Sequence, residues 1–343
     1  MRLIFSFDTE DYVTPEAWDA QKWWAGQLAA RGVRGSFQCV GELARRLKAH
    51  GRQDVIDALA KHEIGYHGNL HSVPPIHPVA IDAISLAEGI EWVLRREAPG
   101  FASVVETFGR VPVSVAMNGD SWTPAGFLAM ASLGMNVYAG GGSALMPSRW
   151  YCGMLVAHYN LCFESYYGED DAAEKTFRDD FGKIAATVPD DGALIVFTHP
   201  TRLVTSQFWD RPFYRGADHP IETLPPAPLW QDARIQKLKS RVQRLLDWML
   251  ARPGVRTSDM ASWYAEQKSP RPLSALLACC GLKPGEAGRL PLRESADLDP
   301  ALSSFFDSFE YRWSIMPREF SARNLMKQAR ALAWTSGPPP PLR

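Results

Sequence analysis

Met1-Arg-Leu-Ile-Phe-Ser-Phe-Asp8-Thr-Glu10-Asp11-Tyr12 is the stretch on which the reading of the fold turns. The apolar run from Leu3 to Phe7 reads as a short buried strand, and three carboxylates arrive where it ends. In barrel-like α/β folds the carboxyl ends of parallel strands are where the chemistry is assembled. Asp8, Glu10 and Asp11 repel one another when crowded there unless a cation or a shared proton relieves them. A solvated acidic turn is the plainer reading, and a second group of ligands is needed to choose between the two.

Working outward, Pro15 to Arg31 has helical spacing and Gly32 stops it. Val33 to Val40 reads as a strand, Gly41 to His50 and Asp54 to His62 as helices, and Glu63 to His67 as a third strand. A long helix is expected over Pro78–Arg96 and a strand over Arg110–Ala116, followed by a polar turn carrying Asn118, Asp120 and Trp122. Further on come a helix (Ala125–Leu133), a strand (Met135–Tyr138), a strand or hairpin arm (Val156–Phe163) and a helix (Asp171–Val188). Gly192–His199 is a buried strand ending on a histidine, followed by a Pro- and aromatic-rich loop over Gln207–Leu229, a helix over Arg234–Leu250 and a last strand at Gly254–Thr257. Strands alternating with helices of this length imply βαβ units and a mainly parallel sheet. Residues 1–268 are read as the barrel, and 269–343 as a helical extension that packs on it or serves oligomerisation, with a disordered Pro-rich tail.

A net charge of −1 over 343 residues argues against a nucleic-acid surface. No apolar run approaches the roughly 20 residues of a membrane helix. Five cysteines without ligand spacing, and no leader before the first strand, set the expectation of a cytoplasmic protein. The twelve tryptophans fit core packing or a cleft that stacks on sugar rings.

His67-Gly-Asn-Leu-His71 supplies the second group of ligands. Two imidazoles four residues apart, on a helical turn or a tight loop, present one face to a divalent metal. A carboxylate from another strand end completes a two-His-one-carboxylate set with positions open for water and substrate.

With these residues in place the chain resembles the polysaccharide deacetylases of the NodB-homology type, carbohydrate esterase family four. Phe5 to Asp11 looks like a spread-out form of the first motif; Leu28 to Gly41 is similar to the approach to the second strand. Ala60 to His71 resembles the His-x-x-x-His metal motif with its Glu-Ile-Gly lead-in. Asp120 to Pro124 is like the segment after the third motif, and Ile195 to Pro200 resembles the late strand with the catalytic histidine. The likeness spans about residues 1–265.

The resemblance implies a distorted (β/α) TIM-like barrel with one divalent ion, often zinc. It implies His67 and His71 as metal ligands with Asp11 or Glu10 as the carboxylate ligand. Asp8 would be the base and His199 the acid, and Asn118, Asp120 and Trp122 are candidates for substrate contact. The expected activity is removal of an N-acyl group, N-acetyl first among them, from an amino sugar or saccharide. Hydrolysis of a small non-sugar amide, as in allantoinase-like relatives, and a non-catalytic binding barrel are the alternatives. Two departures stand out: Gly68 replaces the usual Ser or Thr, and Val113 to Met117 lacks the third motif's Arg. Arg110 is read as a surface residue at a strand start.

Overall fold

Side-chain parity along the first strand organises the molecule. In β1 (Arg2–Thr9) the side chains of Leu3, Phe5 and Phe7 join the layer packed against the helices, whereas Ile4 joins a separate cluster inside the sheet's curl. Because successive strand residues point to opposite faces, Ser6 and Asp8 follow Ile4 inward. The computed structural model describes residues 1–140, 149–168, 172–189, 192–267, 273–283 and 286–289, with 324, 325, 327, 328 and 332.

The other strands are β2 (Ser36–Cys39), β3 (Glu63–Tyr66), β4 (Ser114–Val115), β5 (Val137–Gly140), β6 (Arg149–Tyr151), β7 (Met154–His158), β8 (Leu161–Cys162), β9 (Ala193–Thr198) and β10 (Arg256–Ser258). They form one curled half-barrel sheet in the order β6-β7-β5-β4-β3-β2-β1-β9-β8, with β10 paired to the start of β1. Every pairing is parallel except β6–β7, a hairpin closed by Cys152 and Gly153, whose φ values are 47° and 80°. Val156–Phe163 is therefore split between a hairpin arm and a separate short strand.

Helices α1 (Pro15–Ala29), α2 (Gly41–Ala49), α3 (Gln53–Leu59), α4 (His77–Ile81), α5 (Leu86–Phe108), α6 (Pro124–Ser132), α7 (Ala172–Ala185) and α8 (Asp232–Leu250) surround the strands. Phe7 stacks on Phe37 at 4.4 Å and meets Trp24 of α1 at 5.1 Å, fixing β1 against β2 and its helix. Each such ring withdrawn from water contributes about 1.5–3 kcal/mol. Inside the curl, Ile4, Val137, Leu155 and Ile195 meet Met260 and Trp263 of α9 (Met260–Glu266), which plugs the end opposite the site.

One element departs from expectation in a way that matters. The helix expected over Pro78–Arg96 is two helices, because Ser85 opens α5 with a reciprocal capping box to Glu88. It then runs through Pro99 to Phe108 and so carries Glu97 and Gly100 beneath the loop after β3. Backbone there is so close that a Cβ on Gly100 would lie 2.5 Å from the Asn69 Cα.

Of the C-terminal segment, helix α10 (Leu273–Cys279) approaches the β6–β7 turn, where a Cβ on Gly153 would lie 2.8 Å from the Leu273 nitrogen. Leu325 is buried, and its N–H donates to Asp82 Oδ1 at 3.0 Å. Residues 290–323 of the expected helical extension and its Pro-rich tail lie outside the described residues. Among the described residues, no helix is long and apolar enough to cross a membrane.

Candidate metal centre

The parity that turns Ile4 and Ser6 inward also turns Asp8 and then Glu10 inward, leaving Asp11 on the other side. Inward parity likewise places His67 after Glu63 and Gly65 of β3, Tyr159 after Leu155 and Ala157 of β7, and His199 after Ala193 and Ile195 of β9. Four strand ends thus aim at one point.

There, ligand atoms of Glu10, His67 and His71, all buried, lie within 4.8 Å of one another. Glu10 Oε2 is 2.8 Å from His71 Nε2 and 3.6 Å from His67 Nε2. The hydrogen bonds behind each ring decide what these nitrogens are. His67 Nδ1 lies 2.9 Å from the Ala116 carbonyl, which can only accept, so Nδ1 carries the proton. Ser72 Oγ donates to Asp210 Oδ2 at 2.5 Å and therefore accepts from His71 Nδ1 at 2.7 Å. In the neutral form of each ring Nε2 carries a lone pair, and both nitrogens are buried without a hydrogen-bond partner. Two lone pairs and a carboxylate oxygen facing one another with no donor between them fit a divalent cation.

The loop that carries the histidines is strained and braced. His71 has φ 53° and Gly68 φ 80°, left-handed values that cost a side chain at most positions. The φ of Gly68 accounts for glycine in place of Ser or Thr. The Glu97 carboxylate accepts from Tyr66 Oη and from the Asn69 N–H, each at 2.7 Å, and lies 2.8 Å from His77 Nε2. The N–H groups of Gly41 and Glu42, at the start of α2, hold the carbonyls of Gly68 and Asn69 at 2.9 Å.

Asp11 stands apart from this group. Its Oδ1 accepts from the N–H groups of Val13 and Thr14, and its Oδ2 from Thr201 Oγ1 at 2.7 Å. Burial pushes its carboxyl up to about 6. It ties the end of β1 to the turn after His199, and Glu10 is the carboxylate that meets the histidines.

His199 lies beside the cluster, its Nε2 3.7 Å from Asp8 Oδ2 and 3.9 Å from Glu10 Oε2. Its Nδ1 is 3.0 Å from Glu164 Oε1, which orients the ring. Burial would lower the His199 pKa, but Glu164, Glu10 and Asp8 together hold it well above the ordinary value. Conversely, burial would raise Glu10, and the neighbouring His71 and His199 carry it well below the carboxylate range.

The remaining predicted contacts fare differently. Trp122 is buried and packs edge-on against Phe127 and Tyr151, so it belongs to the core and offers no face to a sugar. Asn118 is buried after β4, its Oδ1 accepting from Ser121 Oγ while its Nδ2 has no partner. The Asp120 side chain lies outside the described residues. Arg110 donates to the carbonyls of His62 and Ala60, closing the end of α3 away from the cluster.

Several residues of the site had no motif to announce them. Trp209 Nε1 donates to Glu10 Oε1 at 3.2 Å, and Asp210 backs His71 through Ser72. Both come from the aromatic loop after β9. Glu164 comes from the turn after β8, and Tyr159 from the residue after β7.

The architecture has known counterparts. A Mycobacterium smegmatis protein assigned as a polysaccharide deacetylase superposes with a TM-score of 0.52 at 16% identity, covering 79% of this chain and 92% of that one. The chain has the polysaccharide deacetylase fold. A 4-α-glucanotransferase from Thermococcus litoralis is similar at TM-score 0.49 and 9% identity, and the match spans only 41% of its length. A family 4 carbohydrate esterase from Streptomyces lividans is similar at TM-score 0.41 and 11% identity, over 79% of this chain and 97% of that one. No family model and no curated protein matches the sequence.

Proposed function

We propose that this chain is a metal-dependent hydrolase that removes an N-acyl group, N-acetyl foremost, from an amino sugar or saccharide. The observation that carries the reading is the convergence of Glu10, His67 and His71 with two proton-transfer groups, Asp8 and His199, beside them. A divalent ion held by Glu10, His67 and His71, with zinc the first candidate for such a donor set, would polarise the amide carbonyl and lower the pKa of water.

The chain's own residues supply the proton chemistry. Asp8 stands in the cluster as a carboxylate able to take the proton of the attacking water. His199, held protonated by Glu164, donates from Nε2 to the departing amine. The amide C–N bond breaks as the new C–O bond forms, and the products are a carboxylate and an amine. Glu164 keeps the ring turned so that its Nδ1 proton is occupied and Nε2 faces the reaction.

The test is release of acylate from N-acetylated amino sugars and their oligomers by protein loaded with zinc, beside Asp8→Asn and His199→Ala variants. Release by the wild type and its loss in both variants, with metal retained, supports the reading. Equal activity in His199→Ala and wild type contradicts it.

A further inference from the structure

Asp8, the proposed base, is held by a side chain that reaches it from another strand end. Tyr159 Oη donates to Asp8 Oδ1 at 2.7 Å. Ser6 Oγ in turn donates to Tyr159 Oη at 3.2 Å. We propose that Tyr159, the residue after β7, is the positioning residue for Asp8.

The geometry supports a dedicated role. Tyr159 follows β7 on the inward parity, and its ring stacks on Phe197 of β9 at 4.2 Å and 16° between planes. The next residue fastens the same junction, with the Asn160 N–H donating to the Ile195 carbonyl at 3.0 Å and the Ile195 N–H donating to Asn160 Oδ1 at 2.7 Å. The phenol is thus clamped between two strands before it reaches Asp8. With Oδ1 engaged by Tyr159, the other oxygen, Oδ2, is the one turned toward His199. A hydrogen bond from an uncharged phenol fixes the carboxylate without adding a further charge to the cluster.

This inference rests on the hydrolase reading for its kinetic arm and on geometry alone for its structural arm. Tyr159→Phe keeps the ring and its stacking and removes only the hydroxyl. In a crystal structure of that variant, the Asp8 carboxylate is expected to rotate away from its position facing His199, with Glu10, His67 and His71 unmoved. An Asp8 carboxylate that stays in place overturns the proposal, whatever the protein's activity. In kinetics on an N-acetylglucosamine tetramer, kcat is expected to fall at least about tenfold, with KM and zinc stoichiometry little changed. On this proposal the hydroxyl serves catalysis through Asp8, so adding Tyr159→Phe to Asp8→Asn is expected to leave kcat where Asp8→Asn puts it. Wild-type kcat in Tyr159→Phe overturns the proposal and leaves the hydrolase reading intact. Absence of acylate release by the wild type overturns that reading instead, and the structural arm still decides the role of Tyr159.

Discussion

His71 Nε2 stands 2.8 Å from Glu10 Oε2 while its Nδ1 gives its proton to Ser72, which passes the contact on to Asp210. The ring is turned and its tautomer fixed from behind, so its free lone pair points at the cluster. Outer groups of this kind typically set 10–100-fold in metal affinity. Ser72→Ala and Asp210→Asn are each expected to weaken zinc binding by about 10–100-fold without abolishing it, as read by competition with a chelating dye. Unchanged affinity in both variants would mean that the relay does not orient His71.

The two adjacent carboxylates at the end of β1 should separate cleanly. Glu10→Gln removes the carboxylate oxygen nearest both imidazoles and is expected to abolish stoichiometric metal uptake. Asp11→Asn leaves the cluster intact but disrupts the acceptor of Val13, Thr14 and Thr201, so it should retain metal and lower thermal stability. Calorimetry with a metal titration reads both. The reverse pattern would place the ligand at Asp11.

Glu164 governs the pH at which His199 loses its proton. Its charge comes first among the contributions that raise the His199 pKa against burial. A raised pKa keeps the imidazolium to higher pH, so removing that charge with Glu164→Gln should bring deprotonation to lower pH. The alkaline limb of the kcat profile is expected to shift downward, with the acid limb unmoved. An alkaline limb that does not move would show that His199 is not the acid.

Glu63 offers a test of stability. Burial inside the curl, beside Ser36, Ser114 and Asp259, pushes its carboxyl up to about 7 from the ordinary 4.5. The folded state therefore holds a proton that the unfolded state releases earlier. The corresponding stability is complete below about 4.5 and is lost as pH rises through about 7. The group contributes a decline on the order of 3 kcal/mol across that window. Glu63→Gln should flatten the profile of denaturation midpoint against pH between those values. An equally steep profile in the variant would assign the decline to another group.

The strand β1 and its acidic end were legible from the sequence, whereas the choice between Glu10 and Asp11 came from the parity of the folded strand. Leu3, Phe5 and Phe7 against Ile4, Ser6 and Asp8 is a period of two, and extending it one step selects Glu10 over Asp11. The His67–His71 spacing was equally legible, although a spacing of four suits a helix and the structure uses a tight loop with His71 at positive φ. Gly68 is explained by the backbone alone, since the loop needs a left-handed residue there.

What the sequence did not disclose is contact between distant segments. Glu97 lies one residue beyond the expected helix end, and the continuation through Pro99 goes with the packing of Gly100 against the loop after β3 rather than with local propensity. Glu164, Trp209 and Asp210 reach the cluster from turn and loop positions that no local period marks. Trp122 shows the converse, a polar-turn aromatic whose burial is decided by Phe127 and Tyr151.

The most direct measurement is the metal content of protein purified without added metal, beside a His67→Ala/His71→Ala control that is verified as folded. The account predicts about one transition-metal ion per chain in the wild type and none in the control. Wild-type protein that holds no metal, and takes up neither zinc nor cobalt when they are supplied, would contradict it.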